Sequence, residues 1–284
     1  VRQSLNHVAS QKARTTKYCY TPQIHRLAPK LTPDMAASLY SAGRRVLPSV
    51  VVDRCKRQAL ATANLAAFCT TTNRMCDLDI ELHRHDLPDG LDLGYVIAVD
   101  TETMGLNLLR DRLCLVQLSA GDGVAHLVQF PASEGDAYDA PNLKALLADK
   151  NRLKLYHFAR FDLAAVQRYL GVDADPCYCT RTASRLVRTF TDRHGLKDLC
   201  RDLLGVEISK QQQSSDWGAD ELSREQQEYA ANDVFFLHEL KSRLDVMLER
   251  HDRVHLAQAC FDFLPARAAL DLAGWPDIDL LAHS

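Results

Sequence analysis

Four acidic residues and one tyrosine set the chemistry open to this chain: Asp100-Thr101-Glu102, then Asp162, then Tyr229 and Asp233 within Tyr229-Ala230-Ala231-Asn232-Asp233. Carboxylate oxygens are the ligands that suit Mg²⁺ and Mn²⁺. Two such ions about 3.5–4 Å apart form the usual engine for displacing a phosphodiester oxygen with water. If one fold gathers the three segments, the pattern points to a metal-dependent nuclease.

The elements around each carboxylate decide whether that gathering is feasible. Tyr95-Val96-Ile97-Ala98-Val99 is a continuous apolar run, which reads as a strand buried on both faces, with Asp100 at its carboxyl end. Open α/β sheets bind their ligands at that end. Asp100 and Glu102 are two apart, so they project from the same face while the strand continues. Gly105 then lets the backbone turn away. A solvated strand end is the competing reading for an isolated Asp-x-Glu.

A second apolar run, residues 153–158, precedes Asp162. Leu163, Val166 and Leu170 are spaced as the buried face of a helix, and Gly171 suits its C-terminal cap. Asp162 then falls in the first turn, where the helix dipole alone favours a carboxylate by about 0.3–1 kcal/mol. In the third segment, Ser223 and Gln226 form a capping box that opens a long helix. Ala230, Val234, Leu237, Leu240, Leu244 and Met247 mark its apolar face. Tyr229 and Asp233 are i and i+4, so they share one edge, facing either solvent or a cleft.

Together the three segments resemble the motifs of the DEDD superfamily of 3′–5′ exonucleases, in the subclass whose third motif is Tyr-x-x-x-Asp. Residues 191–197 (Thr-Asp-Arg-His-Gly-Leu-Lys), 209–217 (from Ser209 to Trp217) and 259–265 (Ala-Cys-Phe-Asp-Phe-Leu-Pro) look like the small bacterial RNase-D-like enzymes of the nanoRNase C type. The resemblance covers roughly Met75 to Ser284. It implies the RNase-H-like α/β fold, a mixed five-stranded sheet flanked by helices. It also implies Asp100, Glu102, Asp162 and Asp233 as ligands of two divalent ions, Mg²⁺ or Mn²⁺, with Asp100 as the bridge and Tyr229 holding the attacking water. A phenol of pKa about 10 is a poor base at neutral pH, so orientation is the role expected of Tyr229. Four crowded carboxylates repel, and without metal at least one should have a raised pKa. The products would be 5′-mononucleotides cut from the 3′ end of short single-stranded RNA by a ring-shaped homo-oligomer. Cys260 through Trp275 is apolar enough to form the subunit contact, or to pack back on its own sheet.

Substrate-side candidates follow from the same resemblance. Thr101 lies inside the first motif. Leu106 either wedges against the terminal base or packs in the core. His157 and Arg160 flank the second motif and could reach a phosphate, although a histidine at a strand end is often structural. Lys210, Gln211, Ser215, Asp216 and Trp217 form a polar segment suited to substrate or subunit contact. His194 and His238 read as structural. Full-length RNase D proteins carry extra helical domains after the exonuclease domain, whereas about 35 residues follow the long helix here, too few for one. The Arg-Pro that RNase D proper tends to show is replaced after Trp217 by Gly218-Ala219-Asp220. A broader exonuclease acting on structured RNA such as tRNA 3′ ends, or on DNA, is the alternative.

Composition bounds the rest. At 284 residues with 46% hydrophobic content, the chain can bury one substantial core, or a core plus an appendage. No stretch approaches the roughly 18 apolar residues that span a bilayer, so no membrane partner is expected. Nine cysteines, scattered and odd in number, imply no disulfide framework and favour the cytoplasm. Cys177-Tyr178-Cys179 has no second ligand pair nearby and does not read as a zinc site. The first 74 residues hold 12 Lys or Arg against Asp34 and Asp53, a net charge of +10, while residues 75–284 hold 22 basic and 35 acidic residues, a net of −13. This leader reads as a nucleic-acid-binding arm, a transit peptide, or upstream sequence outside the working protein with Met75 as the true start. The last reading is favoured, with the exonuclease domain at 75–284 and little order expected before it.

Overall fold

The computed structural model describes residues 79–131, 138–209, 211–212, 214–276, 278 and 282–283. The leader, the start of the family resemblance at Met75, and Lys210 lie outside the described residues.

Strands β1 (Asp79–Arg84), β2 (Val96–Thr103), β3 (Leu113–Ser119) and β4 (Val124–Gln129) come first, followed by helix α1 (Pro141–Ala148). Strand β5 (Leu153–Tyr156) leads into α2 (Ala159–Ala165), and β6 (Cys177–Cys179) into α3 (Thr180–Val187) and α4 (Leu196–Leu199). Three helices complete the chain: α5 (Arg224–Phe235), α6 (Leu237–Arg250) and α7 (Val254–Leu272). The sheet order is β1-β4-β3-β2-β5-β6, with β1 parallel to β4, β5 parallel to β2 and to β6, and β3 antiparallel to both its neighbours.

The sheet is mixed, as expected, but has six strands rather than five. At one edge, β1 pairs with β4 over all six of its residues. Its sequence, Asp-Ile-Glu-Leu-His-Arg, is half charged and mostly exposed. Edge strands tolerate such residues because one side carries no further strand, so no apolar run announces them. Central strands behave as the sequence implied: Ile97, Ala98 and Val99 in β2 are fully buried, as is every residue of β3. Tyr95, counted within the first apolar run, is instead 80% exposed and precedes β2.

The helices anchor to this sheet by named contacts. Ser223 Oγ accepts from Gln226 N at 3.2 Å, and Gln226 Oε1 accepts from Ser223 N at 2.9 Å, closing the expected capping box. The long helix is divided at Phe236 into α5 and α6. Ala230, Val234, Leu237, Leu240 and Leu244 are buried along the joint face, with Leu248 in the place expected of the half-buried Met247. His238 Nε2 lies 3.0 Å from the Val96 carbonyl oxygen, tying the start of α6 to the start of β2. His194 Nδ1 lies 2.9 Å from Ser184 Oγ. Both histidines therefore serve the fold. The α2 segment runs on through a π-turn to Gly171, whose φ of 70° fits the expected left-handed cap. In α7, Phe261 is buried against Tyr178, with ring centroids 4.6 Å apart, while Leu256 and Phe263 stay exposed. The segment thus packs back on the sheet with one face and leaves another free of the described core.

Lys154, in the middle of β5, is fully buried, and its ammonium donates to the carbonyl oxygens of Asp149, Arg152 and Asp175 at 2.7–2.8 Å. Three donors meet three acceptors, and this fixes the loops at the foot of the strand that leads to Asp162. Replacing Lys154 with Met should leave those carbonyls unpaired and lower stability by about 2–4 kcal/mol. The urea unfolding midpoint measures it; an unchanged midpoint would show that the ammonium contributes nothing net.

Candidate active site

Strand β2 presents Asp100 and Glu102 on one face, paired opposite Gln117 and Leu115 of β3. The register shifts between Glu102 and Thr103, so the strand bends immediately after the second carboxylate. Helix α5 lies over the same face and brings Asp233. Carboxylate oxygens of Asp100, Glu102 and Asp233 all lie within 4.8 Å of one another, and all three residues are half-buried. Such an oxygen-only cluster suits a hard divalent cation.

Asp162 enters from the first turn of α2, buried, with its Oδ1 accepting from Thr101 Oγ1 at 2.7 Å. It stands outside the three-residue cluster but near enough that its charge is the largest electrostatic influence on Asp100. The turn before α2 passes through Phe158, held at φ 77° with the Arg181 guanidinium 4.7 Å from its ring centroid. A non-glycine residue in the left-handed region costs about 1 kcal/mol, which the surrounding contacts must sustain.

Tyr229, one turn before Asp233, packs on Trp217 with ring centroids 5.9 Å apart. Trp217 is buried among Leu115, Leu127, Leu222 and Ala230. It therefore reaches the site through Tyr229. The segment that carries it is fixed by Gln226, whose Nε2 donates to Ser215 Oγ at 3.2 Å and to the Asp216 carbonyl at 3.0 Å. Gln211 is exposed. His157 is half-buried, with Nδ1 2.9 Å from Thr180 Oγ1. Arg160 forms a two-pronged pair with Asp271 of α7. Leu106 is 87% exposed on the loop after β2, which resolves its two readings against core packing. Gly105 matters there sterically: a Cβ would lie 2.4 Å from Asp111 Oδ2, an atom already bound to Asn107 N at 3.0 Å.

Gln117 was not singled out from the sequence. It is fully buried, sits directly across from Asp100, and neither amide atom has a hydrogen-bond partner among the described residues. Directly opposed residues leave the sheet on the same face, so its carboxamide stands beside the carboxylates. A lone Gln within Leu-Cys-Leu-Val-Gln-Leu-Ser was the available signal.

Crowding shows in the protonation of the cluster. Burial, then Asp162, Asp233 and Glu102, push the Asp100 carboxyl well above the usual range. Burial and the charges of Asp233 and Asp162 do the same to Glu102. Asp162 is pushed up to about 7 by burial, against the lowering effect of the Thr101 hydroxyl. Burial and the same carboxylates raise the Tyr229 phenol far above its ordinary value.

Carboxyls with raised folded pKa values hold protons that the unfolded chain has released. Their stabilising contribution is complete below the unfolded values of about 4 and is lost as pH rises through the folded ones. Metal-free protein should therefore melt at lower temperature at pH 8 than at pH 5, and saturating Mg²⁺ or Mn²⁺ should raise the melting temperature more at pH 8. Equal metal-induced shifts at both pH values would contradict this electrostatic picture.

Comparison with known proteins agrees with the geometry. A family model described as 3′–5′ exonuclease matches residues 78–249. Ribonuclease D of Acidiphilium cryptum is 33% identical over 168 residues, covering 59% of this chain and 42% of that protein. The chain spans about two fifths of the length of the curated ribonuclease D relatives it matches. Brucella melitensis NrnC bound to pGG superposes with a TM-score of 0.70 at 51% identity, covering 73% of this chain and 100% of that one. Escherichia coli RNase D, an exoribonuclease involved in structured RNA processing, gives 0.53 at 25% identity, covering 61% and 45%. The chain belongs to the 3′–5′ exonuclease family, as an RNase-D-like DEDD member near NrnC.

Proposed function

We propose that the chain hydrolyses short RNA oligonucleotides from the 3′ end, down to dinucleotides, releasing 5′-mononucleotides. The observation that carries this reading is the convergence of Asp100, Glu102 and Asp233 beside Tyr229. In this proposal Asp100, Glu102, Asp162 and Asp233 hold two divalent ions, Mg²⁺ or Mn²⁺. When bound, such ions make hydroxide available near neutral pH and neutralise charge on the leaving oxygen. Asp162, whose Oδ1 accepts from Thr101, would complete the ligand set or support it from where it stands.

Tyr229 orients the attacking water and does not act as its base, because a phenol with so raised a pKa keeps its proton. Its packing on Trp217 fixes its direction. Leu106, fully presented on its loop, stacks on the terminal base. Thr101, His157, Arg160, Lys210, Gln211 and Ser215 complete the substrate surface, with two of the Arg160 nitrogens engaged by Asp271. Residues 75–284 suffice for activity, and copies assemble as a ring through the exposed face of α7, around Leu256 and Phe263. A light-scattering mass equal to one chain would exclude that ring. All five cysteines among the described residues are free thiols, which suits the reducing cytoplasm. No described helix is long and apolar enough to cross a membrane.

Substrate length follows from charge. Proteins that hold long nucleic acids neutralise many phosphates. Residues 75–284 carry a net charge of −13, so the metal site and base stacking must supply most of the affinity. The NrnC relative bound to pGG supports a short substrate. The likeness to Escherichia coli RNase D, an exoribonuclease involved in structured RNA processing, supports the structured-RNA part of the second reading, in which structured RNA or DNA is the substrate.

Replacing Asp100 or Asp233 with Ala should abolish hydrolysis without unfolding the protein. Tyr229→Phe should keep metal affinity and slow turnover by about 10²-fold. Wild-type activity of Asp100→Ala in excess Mn²⁺ would overturn the site.

End-labelled RNAs of about 2 to 20 nucleotides, given to the full chain and to residues 75–284, separate the two substrate readings. Higher kcat/KM on di- to tetranucleotides, with weak salt dependence in both forms, is expected. A 20-mer degraded as efficiently as a dinucleotide, with steep salt dependence, would favour structured RNA or DNA.

A further inference from the structure

The edge of the sheet carries a second cluster of ligating side chains, away from the catalytic carboxylates. Glu81 and His83 are two apart on β1, and His126 of β4 stands directly opposite Glu81. His83 Nε2 lies 3.2 Å from His126 Nδ1. Glu81 Oε2 lies 3.3 Å from His126 Nδ1 and 3.8 Å from His83 Nε2. The two imidazoles lie edge to edge with these nitrogens facing each other, their centroids 5.4 Å apart and their planes 15° from parallel.

Register places this cluster on the opposite face from the active site. Asp100 pairs with Gln117, Gln117 with Leu127, and Leu127 with Leu82, forming one row across four strands on the carboxylate face. Glu81, His83 and His126 each neighbour a residue of that row or stand two from such a neighbour, so they project from the other face. Beyond the different face, His126 is two strands from Asp100, or about 10 Å.

A proton on one ring nitrogen bonds only one pair of these three atoms at a time. A ring nitrogen offers either one N–H or one lone pair. With the proton on His126 Nδ1 the bond runs to Glu81 or to His83, and with it on His83 Nε2 the bond runs to His126, so one tautomer pairs two of the three atoms. A cation at the centre serves all three at once. A triangle with these three sides has a circumradius of about 2.0 Å, against Zn–N bonds of about 2.0–2.1 Å and Zn–O bonds of about 2.0–2.2 Å.

We propose that Glu81, His83 and His126 form a second metal site, for a zinc-class divalent ion. Two imidazoles and one carboxylate select Zn²⁺, Co²⁺ or Ni²⁺ over Mg²⁺, which prefers oxygen. His126 is buried and Glu81 is exposed, so the protein closes three positions and water takes the fourth from the solvent side. Because its ligands come from two strands, the ion staples the charged edge strand β1 to β4.

The test uses the full chain with Asp100→Asn and Asp233→Asn, which removes competing metal binding at the carboxylate cluster. After stripping with chelator, Zn²⁺ is titrated against a chromophoric competitor, and Co²⁺ is added separately to record its visible spectrum. One Zn²⁺ per chain with micromolar or tighter affinity is expected, together with the intense visible bands of a low-coordinate Co²⁺ site. His83→Gln and Glu81→Gln should each weaken Zn²⁺ at least about tenfold and erase those bands. Neither should change the far-UV circular dichroism of the metal-free chain. In the otherwise wild-type chain His83→Gln should leave Mg²⁺-supported exonuclease activity unchanged. Absence of Zn²⁺ binding, or binding that His83→Gln leaves undiminished, would reduce the cluster to a hydrogen-bonded triad and overturn the proposal.

Discussion

Repulsion among half-buried carboxylates is the constraint on which the catalytic half of this molecule turns. Oxygens of Asp100, Glu102 and Asp233 stand within 4.8 Å of one another, with the buried Asp162 close by. At an effective dielectric constant of about 20, two unit charges at that separation repel by about 3 kcal/mol. A surface ion pair contributes about 1 kcal/mol or less, so ordinary side-chain pairing cannot offset this. The metal-free protein answers by retaining protons, and a divalent cation answers by removing the repulsion. The cluster is therefore expensive to fold and well prepared to bind metal.

The surrounding structure keeps those carboxylates from moving apart. Asp100 and Glu102 are held by a strand paired on both sides, and Asp233 by a helix whose first turn is closed by Ser223 and Gln226. Gln226 performs a second task, since the same side chain holds Ser215 and Asp216 and so fixes the segment that carries Trp217. Trp217 in turn backs Tyr229. One capping residue thus links the position of Asp233 to the direction of the tyrosine beside it. On the other side, Lys154 secures the strand from which the Asp162 helix departs.

What the sequence revealed depended on whether a residue's environment was local. The alternation of Asp100 and Glu102, the Ser223–Gln226 box and the stripe from Ala230 to Leu244 are set by neighbours in the chain, and each stands where periodicity placed it. The edge strand β1 was not read because no apolar run marks it, and its partner β4 lies 45 residues away. Gln117 escaped notice for a related reason: its importance comes from lying across from Asp100, and a pairing register is not written in either strand alone. The contacts of Trp217 and Arg160 were equally illegible. Trp217 faces the core beneath Tyr229, and Arg160 is held by Asp271, more than a hundred residues away. Glu81, His83 and His126 carry no motif at all until two parallel strands bring them together.

Anomalous diffraction from a crystal equilibrated with Mn²⁺, recorded at the manganese absorption edge, tests the central claim most directly. Two anomalous peaks about 3.5–4 Å apart are expected between β2 and α5, with Asp100 in contact with both ions and Asp233 with at least one. Crystals that diffract well yet show no manganese within ligand distance of Asp100 would contradict it.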